Sequence, residues 1–147
     1  MDDPFDLERF VKAQGGIYPL ALAELRAGQK RSHWMWFIFP QLAGLGGSPT
    51  AQTYAIRTLA EARAFLAHPV LGPRLVECVQ AANAVRERSA GDIFGYPDEL
   101  KFRSSVTLFH VAAAPQDKAP FKQALDKYFE GEGDPLTLTK LESRHGH

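Results

Sequence analysis

One cysteine, Cys78, stands alone among 147 residues. No internal disulfide can staple the fold, and the apolar helical pattern around Cys78 marks it as a small buried hydrophobe rather than a reactive thiol. Net charge is missing as well: 17 Lys plus Arg balance 17 Asp plus Glu, with no long run of either sign. That balance argues against a surface dedicated to extended nucleic acid or to an anionic membrane. No apolar run reaches bilayer-spanning length, and the opening MDDPFDLERF has neither the basic start nor the apolar stretch of a secretory signal. A cytoplasmic, reducing setting is the expectation. Internal repeats and low-complexity linkers are also lacking, so a chain of this size is expected to form one domain with its own core.

Two chemistries lose support in the same way. His33, His68 and His110 are isolated from one another and from Cys78, whereas a metal site wants ligands at short, repeated spacing. His145 and His147 sit in a terminal tail and are assigned nothing. No G-x-S-x-G elbow exists, which disfavours a serine nucleophile. No metal or cofactor is expected.

What the chain does have is concentrated in KRSHWMWFIFPQLAGLGGS, Lys30 to Ser48. Both tryptophans lie here, with Lys30, Arg31, His33 and Gln41 bracketing Trp34, Met35, Trp36, Phe37, Ile38 and Phe39. Donors and stacking surfaces so close together suit a pocket better than a plain core. The GLGGS stretch would let backbone N–H groups approach a phosphate, although it matches neither a Walker loop nor a Rossmann fingerprint. The alternative is a flexible bend.

The rest of the pattern is helical. Pro4, capped by Asp2 or Asp3, opens a helix with Leu7, Phe10, Val11 and Gln14 on one face, ended by Gly15 and Gly16. Tyr18 and Pro19 restart the pattern, Leu22 and Leu25 continue it as a second short helix, and Gly28 takes the left-handed cap position. The six apolar residues from Trp34 leave strand and helix both open until Pro40 ends them. Thr58 and Glu61 have capping-box spacing ahead of a helix that Pro69 stops, and Leu71 onward forms a longest central helix running toward Arg86 to Arg88. Ser89 and Asp92 repeat the capping spacing before a short turn. Asp98 and Glu99 open a helix to about Ala114, Phe121 to Phe129 forms another, and Asp134 with Pro135 starts a last one. The expectation is a mostly α, compact, single-domain bundle of about seven helices over residues 1–142, with a frayed tail at 143–147 and at most a minor strand pair at Phe37 or Val106.

Glu8, at the edge of the first apolar face, pairs either with Lys12 on the surface or with a ligand, while a buried Gln14 needs partners of its own. Asp92 is first a helix cap and second a reacting carboxylate. Lys101, Arg103, Ser104 and Ser105 lie on adjacent helical faces, open to a phosphate or to solvent.

The segments DPFDLERFVKAQ, GQKRSHWMWFIFPQLAGLGGS, HPVLGPRLVEC and DIFGYPDELKFRSSVTLF, with the pattern around Tyr128 to Leu141, resemble a bacterial domain-of-unknown-function family, number 1810. Some of its members carry the label calpastatin. The likeness covers nearly the whole chain, with HWMWFIFPQ its most specific part, and implies a fold family without naming a reaction. Calpastatin itself is a disordered repeat inhibitor of calcium proteases, unlike this apolar chain, and that function is not expected here.

A more distant likeness points to chemistry. Glu8 to Gln14, ERFVKAQ, is similar to the E-H-Y-F-Q-A-Q stretch of the NADAR superfamily, which is tied to NAD and ADP-ribose metabolism. Lys30 to Trp34 is similar to its basic-then-tryptophan stretch, FLAHPVLGPRLVEC to its helix pair, and Asp92 to Gly95 to its D-x-W-G turn. Phe94 stands where that turn has tryptophan, and Tyr96 to Phe102 replaces a glycine-asparagine stretch. The resemblance implies N-glycosidic cleavage of a nucleotide, ADP-ribose or ribosylated base, with Glu8 and Asp92 as the carboxylates that stabilise an oxocarbenium ion and handle the proton. Trp34 or Trp36 would stack on the base, Lys30 and Arg31 would neutralise phosphate, and Gln14 would orient substrate or water. His33, Gln41, Lys101 and Ser104 complete the expected binding set. The alternative is a non-catalytic module that holds a nucleotide or peptide in the same cleft. The expected partner is a small nucleotide-like molecule, and oligomeric state is left open.

Overall fold

The computed structural model describes residues 3–145 and is helical throughout. In chain order the helices are α1 (Glu8–Gln14), α2 (Tyr18–Ala27), α3 (Met35–Ile38), α4 (Pro49–Thr53), α5 (Leu59–Ala67), α6 (Leu71–Ala84), α7 (Ala90–Phe94), α8 (Asp98–Ala112), α9 (Ala119–Phe129) and α10 (Pro135–His145), with a 3-10 turn at Pro115–Asp117. The mostly α expectation holds, with ten α-helices among the described residues where about seven were expected, because the tryptophan segment, the stretch after the glycine-rich bend and the expected turn after Ser89 each contribute a short one. Phe37 and Val106, the expected strand positions, are both helical. Among the described residues the β pairing is an isolated parallel bridge between Leu42 and Ile56. At the C-terminal end α10 is drawn to His145, and residues 146–147 of the expected tail lie outside the described residues.

α8 is the longest helix and the hub, packed against α5, α7, α9, α10 and α3, while α6 packs against α2, α5 and α9. Phe102, Val106 and Phe109 are fully buried on α8, and Phe10, Phe39, Phe65 and Phe121 complete the centre. These rings meet edge-to-face or tilted: Phe10 on Phe65 at 5.1 Å, Phe39 on Phe102 at 5.0 Å and Phe65 on Phe109 at 5.3 Å. Such geometry adds stabilisation beyond the area buried.

Helix ends follow local chemistry. Thr58 Oγ1 accepts the Glu61 N–H at 3.1 Å and Ser89 Oγ accepts that of Asp92 at 3.0 Å. Gly28 ends α2 in the left-handed region at φ 75. Asp134 takes the Thr137 N–H at 2.9 Å at the start of α10, and its own N–H reaches Thr107 Oγ1 on α8 at 2.9 Å. Two boundaries differ from expectation. α1 begins at Glu8 rather than near Pro4, although Asp3 still caps it by accepting the Leu7 and Glu8 N–H groups at 2.8 and 3.0 Å; Asp2 lies outside the described residues. α6 stops at Ala84, since Val85 turns extended and Arg88 folds back to donate to the Gly28 and Asp92 carbonyls at 2.8 and 3.0 Å. The α5–α6 crossing is closed by Gly72, where a Cβ would lie 2.0 Å from the Leu66 carbonyl oxygen.

Candidate ligand cleft

The two tryptophans separate. Trp34 is completely buried. Its Nε1–H donates to Glu24 Oε1 at 2.9 Å, and the same carboxylate accepts the Arg31 and Ser32 N–H groups at 2.8 and 3.0 Å and the Ser32 hydroxyl at 2.6 Å. Burial pushes the Glu24 carboxyl up, but these hydrogen bonds outweigh it and hold it at about 2, below the ordinary 4.5. Glu24 therefore ties the basic segment to α2. It went unnoticed in the sequence, where its signal is a carboxylate set between Ala21, Leu25 and Gly28 on a helix face that must be buried.

Trp36 is half-buried and forms one wall of a cleft of about 250 Å³, with Tyr54, Gln41, Arg57, Gln52 and the backbone of Gly44 and Gly46 around it. The bridge between Leu42 and Ile56 fixes this wall: Ile56 N–H donates to the Gln41 carbonyl at 2.8 Å and Ala43 N–H to that of Ile56 at 2.7 Å. Tyr54 is backed by Phe37 and Phe10, with ring centroids 5.4 and 5.8 Å away. Lys101 Nζ lies 5.0 Å from the centre of the Trp36 ring, within cation–π range. Asp98 anchors that lysine at 3.4 Å and binds Lys30 Nζ at 2.8 Å. Lys30 is itself buried, 5.1 Å from the Trp34 ring, with its N–H on the Ile93 carbonyl at 2.7 Å.

Of the residues selected from the sequence, Trp36 and Gln41 line the cleft and Lys101 touches Trp36. Gln14 is buried, donating from Nε2 to the Phe37 carbonyl at 2.8 Å and accepting from Arg74 at 3.3 Å, so it braces α1 against α3 and α6. Ser104 is buried on α8. Arg31 and His33 are exposed, the Arg31 guanidinium donating to Gln29 Oε1 at 3.1 Å. Glu8 is exposed at the first turn of α1. Asp92 completes a capping box with Ser89, whose N–H and hydroxyl hold its carboxyl below the usual range. Neither carboxylate lines the cleft. Tyr54, Arg57 and Gln52 were missed because no spacing rule links them to Trp36; the Leu42–Ile56 bridge does.

A larger groove, about 1100 Å³, runs between α5, α6 and the end of α8, floored by Leu66, Val76, Ala112 and Phe121 and edged by Arg63 and Arg74. None of the sequence-selected residues lines it. Among the described residues, no helix is long and apolar enough to cross a membrane.

The fold and cleft define a small all-α protein that sets an aromatic wall beside backbone amides and cations. The chain belongs to the family described as protein of unknown function DUF1810, whose model matches residues 4–141. It is similar to the crystal structure of the conserved hypothetical protein Rv1873 from Mycobacterium tuberculosis, at 52% identity and a TM-score of 0.92, over 95% of this chain and 98% of that one. No curated protein matches it.

Proposed function

We propose that the protein binds a small nucleotide-like molecule in the Trp36 cleft. The observation that carries this reading is the composition of the wall: Trp36 and Tyr54 offer π faces, Gln41 and Gln52 offer amides, and Arg57 is the charged member among the described lining residues. A planar, polar ligand uses all three, since an aromatic wall gives area and a few placed polar groups fix orientation. Binding without turnover is favoured over the two-carboxylate hydrolase, because Asp92 already serves as a cap and both Asp92 and Glu8 lie off the cleft lining.

N-glycosidic cleavage is the second reading. It is supported by Asp98, a carboxylate 19% exposed that grips the lysine lying over Trp36. A carboxylate beside a stacked base can stabilise an oxocarbenium ion.

Calorimetric titration with ADP-ribose, NAD and nucleosides, followed by chromatography of each mixture after incubation, tests both. Saturable binding that Trp36→Ala abolishes, with no free base released, supports the binding module. Released base, reduced about a hundredfold or more in Asp98→Asn or Glu8→Gln variants that keep their fold, moves the protein to the hydrolases. Absence of binding and of release across the panel refutes both.

A further inference from the structure

We infer, resting on the Trp36 cleft reading above, that the cleft discriminates by ring charge, accepting uncharged planar rings and rejecting cationic ones, and that Lys101 sets this preference. Lys101 sits in the first turn of α8, three residues after Asp98, so its ammonium and that carboxylate share a helix face. Its Nζ lies 5.0 Å from the centre of the Trp36 ring. Trp36 lines the cleft, whereas Lys101 is not among the described lining residues. The ammonium therefore covers one face of the indole from outside the cleft and leaves the other face to a ligand.

A cation held over an aromatic ring is attracted by the negative π face. A ring stacked on the opposite face of that indole meets π density already drawn toward Lys101. An uncharged, electron-rich ring gains from this arrangement. A cationic ring competes with the lysine for the same indole and is repelled by it.

The positive charge behind Trp36 is not cancelled locally. Asp98 holds Lys101 at 3.4 Å but also binds Lys30 Nζ at 2.8 Å, so two ammonium groups share one carboxylate and the set keeps one positive charge. All three side chains are at most 25% exposed, which limits screening by water. Acidic residues are absent from the described lining of the cleft. Glu61, whose carboxylate accepts the Arg57 backbone N–H at 3.1 Å, is buried and already paired with Arg9 at 2.8 Å. Lys140 adds to the same sign, since a Cβ built on the lining residue Gly44 would lie 2.9 Å from its Nζ.

The test is equilibrium dialysis of two pairs of nucleosides of similar shape and different ring charge: guanosine against 7-methylguanosine in mildly acidic buffer, and reduced nicotinamide riboside against nicotinamide riboside at neutral pH. Wild type, Lys101→Met, Lys101→Arg and Trp36→Ala are compared, with circular dichroism to confirm folding. In wild type the uncharged member should bind about tenfold or more tighter than the cationic one. An indole without a cation on its far face favours a cationic ring, so Lys101→Met should bring the ratio to one or below, and Lys101→Arg should keep it. The ratio is taken within each protein, so a general change in affinity cancels. Equal or tighter binding of the cationic member by wild type, or an unchanged ratio in Lys101→Met, overturns the inference; if Trp36→Ala weakens both members, the cleft reading stands. Failure of all four compounds to bind overturns the cleft reading and the inference with it.

Discussion

The indole N–H of Trp34 points into the carboxylate of Glu24 at 2.9 Å, which places the centre of the basic-aromatic segment in the core and leaves Trp36, two residues later, to face the cleft. One tryptophan is thus spent on stability and the other is available for a ligand.

Replacing Glu24 tests the first half of that division. Glutamine keeps the size of the side chain but not its capacity to accept four hydrogen bonds, so Glu24→Gln should lower the unfolding free energy by about 3 kcal/mol. Because the folded carboxyl sits at about 2 and the ordinary value is 4.5, the contribution is complete above 4.5 and is lost as pH falls toward 2. Urea unfolding of both proteins across this range should show a constant gap at neutral pH that shrinks in acid. A gap independent of pH contradicts the assignment.

Trp34→Ala and Trp36→Ala should differ in kind. The first opens a cavity in the aromatic centre and should cost about 4 kcal/mol. The second removes a half-buried wall and should cost about 1 kcal/mol, while abolishing ligand binding. Comparable stability losses would put both rings in the core.

Gly72→Ala should be severe for a reason unrelated to the cleft. The new Cβ meets the Leu66 carbonyl oxygen at 2.0 Å, backbone that yields only if α5 and α6 move apart. A loss of about 3 kcal/mol is expected by thermal unfolding. A neutral result would show that this crossing slides freely.

Asp92→Asn distinguishes a cap from a reacting group. The carboxylate accepts the Ser89 N–H at 3.0 Å and shields the first turn of α7. The variant should melt slightly lower and bind ligand as the wild type does. Loss of binding or of turnover at unchanged stability would return Asp92 to the chemistry.

Much of the fold was legible in the sequence because caps are local. Thr58, Ser89, Gly28 and Asp134 mark their helix ends through hydrogen bonds or backbone angles that span only a few residues. The short helices α3 and α4 were harder, since four or five residues carry no periodicity to read. The end of α6 was misplaced because Arg88 is drawn back by Gly28, a contact 60 residues distant. The cleft was half legible. Trp36, Gln41 and Lys101 stand out by composition, whereas Arg57 and Tyr54 join them through the Leu42–Ile56 bridge. Trp34 and Lys30, equally prominent in the sequence, were claimed by the core and by Asp98.

The measurement that tests the central claim most directly is a fluorescence titration of wild type and Trp36→Phe with ADP-ribose and the nucleoside monophosphates. The chain has two tryptophans, so the variant reports from Trp34 alone. A saturable change in wild type that vanishes in Trp36→Phe is the predicted result. The same change in both proteins, or none in either, would contradict a ligand site at Trp36.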